Sequence, residues 1–594
     1  MISNAESIPR EAHESRPRRD FLTGFAALGG YSILSGGCAS VCRLETGNIR
    51  PQPMPYADLG LPFAVFDVHS HIFNARDVQL AGYLKGPVAN DLEGSQPELA
   101  NVLRALALPI QFVAQRIAPS LESEVAMMGS APQPGIKTLQ GVDLPSEESQ
   151  ARDRLVQLLN ETEFKKTLQF DLQKSGRMGL FSKSLDNGTF YSREEVDRIL
   201  DETEQRHIKG YDETLSSTHP EGGVLTFLKH MLCHRYFNME SMWNTYRASE
   251  SIRPDAFLTA LVDFDYWLEP GGHNRTPSCL ADQVRMSEAL AIRSGGAILP
   301  LVPYNPWTDI VESGSPSLAL VKNAVMEHGF VGVKLYPVLG YAPYGNVEAV
   351  RKNNIPSIWR ELAPGKDPVE VATELDKRMF ALLTWCGTND VPIMAHTNHS
   401  KGTGDEALNL AGPDYWVMAL HAAFQATGKP LRINLGHFGG NDTKYCGGLG
   451  AYCWQKGFIR ALGDANASQF FDADLAYWND LFLGNDPDTK TFLSAAVARG
   501  EPLRSHVMYG SDWFMLTQEK AFKEYVERVY VWANSLDPEL ARKVFQDNAA
   551  DLFGFRKGKP GEKDPATRAR LERFYKKNKI PAPGWMTKLD GSPK

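Results

Sequence analysis

The chain has 594 residues, of which 43% are hydrophobic and 23% charged, and its formal net charge at pH 7 is -8. This composition is typical of a soluble globular protein with a large core, and the acidic balance gives no reason to expect nucleic acid as a partner. The length exceeds that of one ordinary domain, although a barrel with insertions can absorb it as a single unit.

The amino terminus resembles a bacterial export signal. Arg18 and Arg19 are followed by Phe-Leu and a weakly apolar, Gly-rich stretch, as in twin-arginine signals. Small residues before Cys38 resemble a lipoprotein cleavage site, although Ser35 stands where such sites usually carry Leu. We therefore predict that residues 1–38 are a signal of this type with Cys38 lipidated, and that the protein is periplasmic or membrane-anchored. A plain cleaved signal and an uncleaved anchor are the alternatives.

The cysteines give little further information. Export in the folded state weakens the case for disulfides, and the chain contains no paired C-x-x-C motif of a zinc ribbon. Cys446 and Cys453 are near neighbours, and we predict that they are free or joined in a local loop disulfide rather than metal ligands.

Residues 39–62 are rich in Pro, Gly and polar residues, which is typical of a linker. Eight short apolar runs follow, at 63–69, 257–264, 297–302, 329–335, 391–396, 432–437, 469–473 and 506–511. Such runs, bounded by turn residues and separated by helix-compatible sequence, are typical of buried parallel strands. The pattern predicts an α/β fold, a (β/α)8 TIM barrel spanning residues 63–556.

Two segments fall outside the regular alternation. Residues 75–250 carry mainly helical patterning and follow the first strand, so we predict a helical cap over the barrel mouth. Residues 557–594 form a basic tail, since the stretch from 556 to 594 has twelve Lys/Arg and four Asp/Glu. We expect this tail to be solvated and partly helical, with contact to anionic lipid as the alternative.

Several of the predicted strands end on residues that bind metals. His69 and His71 close the first strand, His396 the fifth, His437 the sixth and Asp512 the eighth. The carboxyl ends of barrel strands converge on one mouth, so these side chains are predicted to meet there. Imidazoles and a carboxylate at one point make an open site for a divalent metal ion.

The motifs around these residues resemble a known family. DVHSHIFN, GVKLYP, MAHTN, GHFGG, YGSDW and NAADLFGF are similar to motifs of the metal-dependent amidohydrolase superfamily. The likeness is to the branch typified by aminocarboxymuconate semialdehyde decarboxylase and related hydrolases. It covers residues 63–74 and 255–556 and leaves out the predicted cap.

The resemblance implies a role for each matched residue. His69, His71, His396 and Asp512 are expected to ligate one divalent ion, with zinc as the first expectation and Mn²⁺ or Fe²⁺ as alternatives. Asp512 is also expected to shuttle a proton to the leaving group, and His437 to act beside it as a second catalytic residue.

Lys334, at the end of the fourth strand, has two possible roles. A carboxylated lysine at this place bridges two metals in part of the superfamily. In the branch resembled here the lysine faces the pocket, where it could hold a substrate carboxylate or pair with an acid in the barrel. We favour substrate binding for Lys334, together with Arg76 and His399.

Other polar residues near the strand ends are assigned supporting or structural roles. Asp263, Asp265 and Asp472 are candidates for orienting a ligating imidazole. His230 and His234 are four residues apart on a helical stretch that lacks the H-E-x-x-H base, so we predict that they belong to a packed cap helix.

Three functions are consistent with these residues. We favour hydrolysis of an amide, ester or lactone bond of a small molecule by metal-activated water. The first alternative is non-oxidative decarboxylation of an unsaturated or aromatic acid, and the second is a surface-tethered binding protein without activity. The sequence predicts no membrane contact beyond a lipid anchor and leaves the oligomeric state open.

Overall fold

The computed structural model describes residues 44, 49–52, 58–89, 97–129, 144–161, 191–206, 222–266, 276–312, 314–398, 409–440, 451–463, 471–484, 486–519 and 521–591. The chain divides into Met1–Arg43 and Leu44–Lys594, and the described residues belong to the second unit. The predicted signal with Cys38, and His399 of the predicted substrate site, lie outside the described residues.

Eight parallel strands form one sheet in the order of the chain. They are β1 (Phe66–Ser70), β2 (Ala256–Ala260), β3 (Ile298–Pro303), β4 (Gly332–Leu335), β5 (Ile393–His396), β6 (Ile433–Gly436), β7 (Phe471–Asp474) and β8 (Val507–Met508). Each strand falls within or overlaps a predicted apolar run, and all are buried except for the side chain of His396. The predicted (β/α)8 barrel with a helical insertion after the first strand is therefore confirmed.

The ends of the sheet approach each other through backbone hydrogen bonds between the first and last strands. Val68 N donates to Tyr509 O over 3.0 Å, and Asp512 N donates to His69 O over 2.7 Å. The barrel is therefore nearly closed, and its seam places the backbone of Asp512 directly beside His69.

Helices cover the outside of the barrel between successive strands. After β2 come α8 (Leu280–Arg293), α9 (Pro306–Val311), α10 (Pro316–Glu327), α11 (Asn346–Arg351), α12 (Ile358–Leu362), α13 (Pro368–Asn389), α14 (Pro413–Thr427), α15 (Cys453–Gly463), α16 (Asn479–Phe482), α17 (Pro487–Ala496), α18 (Trp513–Leu516), α19 (Tyr525–Leu536), α20 (Pro538–Arg542) and α21 (Asn548–Phe553). Their apolar faces pack on the strands and form the main hydrophobic core. Among the described residues, none of the helices combines the length and apolar character needed to cross a bilayer.

The insertion between β1 and β2 is helical where the structure describes it. Its helices are α1 (Leu80–Tyr83), α2 (Pro97–Ile117), α3 (Leu121–Gly129), α4 (Leu144–Asn160), α5 (Arg193–Arg206), α6 (Gly222–Met231) and α7 (Arg235–Arg247). The buried guanidinium of Arg235 joins this cap to the loop after β1, because it pairs with both Asp77 and Glu124. A buried ion pair of this kind fixes the position of the helix that carries it, since breaking it leaves an uncompensated charge.

The carboxyl-terminal segment differs from the expected solvated tail. It forms α22 (Ala566–Lys577) and α23 (Gly584–Gly591), which bury Phe574, Tyr575 and Trp585 against the barrel. The expectation of a solvated tail was based on the basic residues. The apolar residues, spaced along two helices, instead determine that the segment packs against the barrel.

Replacing Trp585 with alanine is expected to lower the free energy of unfolding by about 3–5 kcal/mol. The indole is 1% exposed, its ring contacts Phe66 and Phe555, and its Nε1 donates to Gly296 O over 3.0 Å. Thermal unfolding measures the change, and the exposed Lys577 replaced by alanine serves as the control. Equal stability of the two variants would contradict the packing of this segment.

Candidate metal centre at the barrel mouth

Three predicted ligands meet at the carboxyl end of the barrel. His69, His71 and Asp512 each offer one ligand atom, and these atoms lie within 4.8 Å of one another. All three residues are buried, with exposures of 0%, 7% and 6%. Two imidazoles and a carboxylate at this spacing form a donor set that suits a divalent ion such as zinc.

His71 is oriented by the neighbouring strand. Its Nδ1 lies 2.8 Å from Ala260 O, and because a carbonyl oxygen only accepts, Nδ1 carries the proton. Nε2 then presents its lone pair toward Asp512, whose Oδ1 lies 3.4 Å away. Burial lowers the pKa of His71 to about 3, so the ring is neutral and able to ligate at physiological pH.

His69 is oriented by a carboxylate that our sequence analysis did not select. Nδ1 of His69 lies 3.1 Å from Oδ2 of Asp474, at the end of β7. Asp474 also accepts from the backbone N–H of His437 and from the side-chain amide of Asn434. A carboxylate behind a ligating histidine fixes its tautomer and raises its basicity.

The predicted candidates for this supporting role lie elsewhere. Asp472, two residues before Asp474 on β7, pairs with Nδ1 of His506 at 2.6 Å. The Asp263 carboxylate accepts from the backbone N–H of Asp265, and the Asp265 carboxylate accepts from the side-chain amide of Gln79. These bonds join the three carboxylates to residues other than the candidate ligands.

Two glycines explain how His69 fits between the strands. A Cβ on Gly436 would lie 2.9 Å from Cε1 of His69, and a Cβ on Gly510 would lie 2.8 Å from its Cβ. Side chains at either position would displace the imidazole. The glycines in the GH and YGSD motifs are therefore part of the site's construction.

His396 and His437 lie beside the three-residue group. Nε2 of His437 is 3.1 Å from Nδ1 of His396, and the rings of His437 and His69 are 4.6 Å apart. Nδ1 of His437 donates to Ala476 O over 3.0 Å. The structure therefore brings all four predicted histidines together.

Lys334 is fully buried beneath this cluster. Its Nζ lies 3.0 Å from Nε2 of His69 and 5.1 Å from the centroid of the Tyr336 ring. Burial lowers the pKa of the ammonium to about 8, against the opposing effect of Asp474 and Asp512. Lys334 thus contacts a candidate metal ligand, His69, directly. Its predicted contact with substrate stays a prediction.

The carboxyl of Asp512 has an unusual environment. Its backbone is left-handed, with φ of 55°, a conformation that non-glycine residues adopt rarely and mostly at functional sites. Oδ1 is buried and accepts no hydrogen bond within the described part of the chain. Burial raises the pKa of this carboxyl to about 7, while Lys334 opposes the shift. A buried oxygen that accepts no hydrogen bond, facing neutral imidazoles, is what a cation site requires.

Three further residues that the sequence analysis singled out have structural partners. The Arg76 guanidinium donates to Gln115 O on α2 over 2.7 Å, so it ties the loop after β1 to the cap. Nδ1 of His230 pairs with Asn238, and Nδ1 of His234 with Glu147. These cap histidines are packed among helices, as the missing H-E-x-x-H base indicated.

Residues 310–555 match a family model described as amidohydrolase. The matched segment is less than half of the chain, and it contains Lys334, His396, His437 and Asp512 but neither His69 nor His71. This match supports the amidohydrolase superfamily for that part of the barrel. The sequence has no significant match among curated proteins.

The solved structures that match this chain are distant from it. A candidate metal-dependent hydrolase from Lactobacillus casei is 11% identical, with 83% of this chain and 95% of that chain covered and a TM-score of 0.35. An amidohydrolase from Burkholderia multivorans is 10% identical, with 53% and 87% covered and a TM-score of 0.32. Neither likeness is close enough to assign a function.

Proposed function

We propose that this protein is a hydrolase of the amidohydrolase type that uses a divalent metal ion to cleave an amide, ester or lactone bond of a small molecule. The observation that carries the proposal is the group of His69, His71 and Asp512, with the buried Oδ1 of Asp512 directed at the imidazoles. The sequence motifs further favour the branch typified by aminocarboxymuconate semialdehyde decarboxylase and its related hydrolases.

His69, His71 and Asp512 would hold the ion, with His396 as the fourth candidate ligand. A divalent cation in this position supplies Lewis acidity, which polarises a carbonyl oxygen and makes water a stronger acid. Zinc suits the histidine-rich donor set best, and manganese and iron are the alternatives.

The protein's own groups would move the protons. The carboxylate of Asp512, which lies beside the two imidazoles, would accept a proton from the attacking water and return it to the leaving group. His437 is neutral because burial lowers its pKa to about 4, and its Nδ1–H is used by Ala476 O. Its Nε2 would therefore accept from Nδ1–H of His396, 3.1 Å away, and so orient this fourth candidate ligand.

The metal content of the purified protein is expected to be about one equivalent per chain, since one group of three ligands is present among the described residues. Plasma mass spectrometry on protein prepared without added metal measures it. Hydrolysis of a panel of esters, lactones and amides should follow the metal content and stop with a chelator.

Three outcomes would redirect the proposal. Release of carbon dioxide from an unsaturated or aromatic acid, without hydrolysis, would replace hydrolase by decarboxylase. Two metal equivalents would favour a carboxylated Lys334 that bridges them. Protein that binds no metal after reconstitution would favour a binding protein.

We also propose that the protein is exported and lipidated at Cys38. Cys279 and Cys453 each take part in a disulfide bond. Disulfides persist in oxidising compartments such as the periplasm, which supports export. Export in the folded state had weakened the case for disulfides, and these two bonded cysteines go against that expectation, although a loop disulfide of Cys453 was among the alternatives. Metabolic labelling with palmitate should mark the wild-type chain and leave a Cys38→Ser variant unlabelled.

A further inference from the structure

The cap helix α2 is apolar on its outer face as well as on its inner one. Residues 105–115 in the middle of this helix contain no charged side chain, and the inner face is buried in the main core. On the outer face Leu108 is 50% exposed and Phe112 is 70% exposed, the largest fraction among the large hydrophobic side chains that the structure describes. A surface helix normally carries polar and charged residues on its outer face, so this one is built for a second apolar environment.

An arginine lies one turn beyond each end of this apolar pair. Arg104 precedes Leu108 by four residues, and Arg116 follows Phe112 by four, which places all of them in one row along the helix. The Arg116 guanidinium lies 5.9 Å from the centroid of the Phe112 ring and pairs with Glu161 at 3.3 Å. An ion pair as exposed as this one is weak, so the guanidinium can exchange Glu161 for a lipid phosphate. An apolar centre between cationic ends is typical of helices that lie in the surface of a bilayer.

The predicted tether joins the barrel on the side of its mouth. Leu44 N donates to Oδ1 of Asp282 over 2.8 Å, in the first turn of α8. Gln52 N donates to Arg293 O at the other end of that helix. Because α8 follows β2 and runs back toward the amino ends of the strands, its first turn lies at the height of the mouth.

Arg76 connects α2 to the same end of α8. Its guanidinium donates to Gln115 O, and Ser278 N donates to Arg76 O over 3.0 Å. Gln115 is three residues after Phe112, and Ser278 is four residues before Asp282. The helix that follows α2, α3, also packs on α8. The outer face of α2 and the attachment point of the tether therefore belong to one part of the molecule.

We propose that the outer face of α2, centred on Leu108 and Phe112, lies on the anionic surface of a lipid bilayer, so that the cap side of the barrel faces the membrane. The inference rests on the proposed export and lipidation. Leu44 is six positions after Cys38, and six residues span at most about 20 Å. A bilayer that holds a lipid on Cys38 therefore passes close to the first turn of α8. Apolar burial and the attraction of arginines to anionic headgroups add to the lipid.

The basic carboxyl-terminal segment is the competing contact for a membrane. Lys576, Lys577 and Lys579 are exposed on this segment. The segment packs at the amino end of the barrel, because Trp585 donates to Gly296 O just before β3. Contact through these lysines would turn the barrel mouth away from the bilayer, whereas the tether is attached on the side of the mouth.

Vesicle flotation of the full-length Cys38→Ser chain tests the contact without the lipid. The chain is expected to bind vesicles of phosphatidylethanolamine and phosphatidylglycerol about tenfold more strongly than vesicles of phosphatidylcholine. Replacing both Leu108 and Phe112 with serine should lower the partition coefficient at least about tenfold, since neither apolar side chain would then leave water on binding. Because both positions are exposed, the melting temperature should stay that of the parent chain.

The matched control replaces Val369 and Phe380 with serine. These side chains are 48% and 37% exposed on α13, which leads into β5, across the barrel from β1. This variant removes a similar exposed apolar area and should bind vesicles as the parent chain does. A general loss of hydrophobic surface is thereby separated from a contact made by α2.

Fluorescence locates the contact directly. Phe112→Trp adds an indole at the centre of the proposed contact, and its emission is read as the difference from the chain with its 11 native tryptophans. Brominated phospholipid should quench this added emission. Phe380→Trp, with its indole on α13, should show no such quenching.

Equal partition of the parent and the Leu108/Phe112 variant, or no quenching in Phe112→Trp, would overturn the inference. So would a loss of binding only when Lys576 and Lys577 are replaced by glutamine, which would assign the contact to the carboxyl-terminal segment. A dimer in sedimentation that Phe112→Ser converts to a monomer would also overturn it, because the face would then bind a second copy of the chain.

The two proposals fail separately, because the vesicle measurements use a chain that cannot be lipidated at Cys38. Palmitate labelling of the wild-type chain without quenching in Phe112→Trp contradicts the α2 contact alone. Quenching without palmitate labelling contradicts the lipidation alone.

Discussion

Replacing His71 with alanine is expected to abolish both metal retention and turnover while the barrel stays folded. His71 supplies one of the three clustered ligand atoms, and its Nδ1–H is already used by Ala260 O. Loss of partners outside the ligand set alone typically lowers metal affinity by about 10–100-fold, so loss of a ligand should exceed a hundredfold. Dialysis against a zinc buffer followed by plasma mass spectrometry gives the affinity.

His421→Ala is the control for this prediction, since His421 lies on α14, outside the centre. It should retain metal and activity. Asp512→Asn should behave like His71→Ala, because the amide keeps the size of the side chain and removes the charge that faces the imidazoles. A His71→Ala protein with full metal and activity would falsify the ligand assignment.

The strands and the convergence of the candidate ligands were accessible from the sequence because both depend on local patterns. A buried parallel strand is a run of apolar residues, and the residue that ends it must lie at the mouth of a barrel. His69 and Asp512 could therefore be placed together although 443 positions separate them in the chain.

The sequence analysis did not select Asp474, the carboxylate behind His69, because it ended the seventh strand one residue too early. The sequence pattern ended the seventh strand at residue 473, whereas β7 continues to Asp474. Asp472 and Asp474 share a face, since strand side chains alternate, and only the second reaches the height of His69. Extending the strand by one residue would have exposed the candidate, but strand ends are the least certain part of a sequence-based assignment.

The partners of polar residues in loops could not be predicted from the neighbouring sequence. Arg76 follows the motif that contains His69 and His71, and the structure adds a hydrogen bond from its guanidinium to a carbonyl oxygen on α2. Its predicted role in substrate binding stays a prediction. The hydrogen bond depends on how the cap folds over the barrel, and no periodic pattern encodes that.

Replacing Asp474 with asparagine is expected to lower metal affinity by about 10–100-fold without removing any ligand. The carboxylate accepts hydrogen bonds from Nδ1 of His69, from Asn434, and from the backbone N–H groups of His437 and Ala476. An amide has one acceptor oxygen and would turn its NH2 group toward one of these donors. The imidazole of His69 would then lose the partner that fixes its tautomer.

The same substitution should also cost stability, by about 1–3 kcal/mol for each buried donor that is left unsatisfied. Asp472→Asn separates the two effects. Asp472 lies two residues earlier on the same strand, is buried, and pairs with His506 instead of a ligand. This control should lower the melting temperature while its zinc affinity stays at the wild-type value.

Zinc affinity and thermal unfolding, measured on both variants, therefore distinguish a positioning role from a structural one. If Asp474 only stabilises the barrel, the two variants will lose stability and keep the same affinity for zinc. If it orients His69, affinity will fall in Asp474→Asn alone.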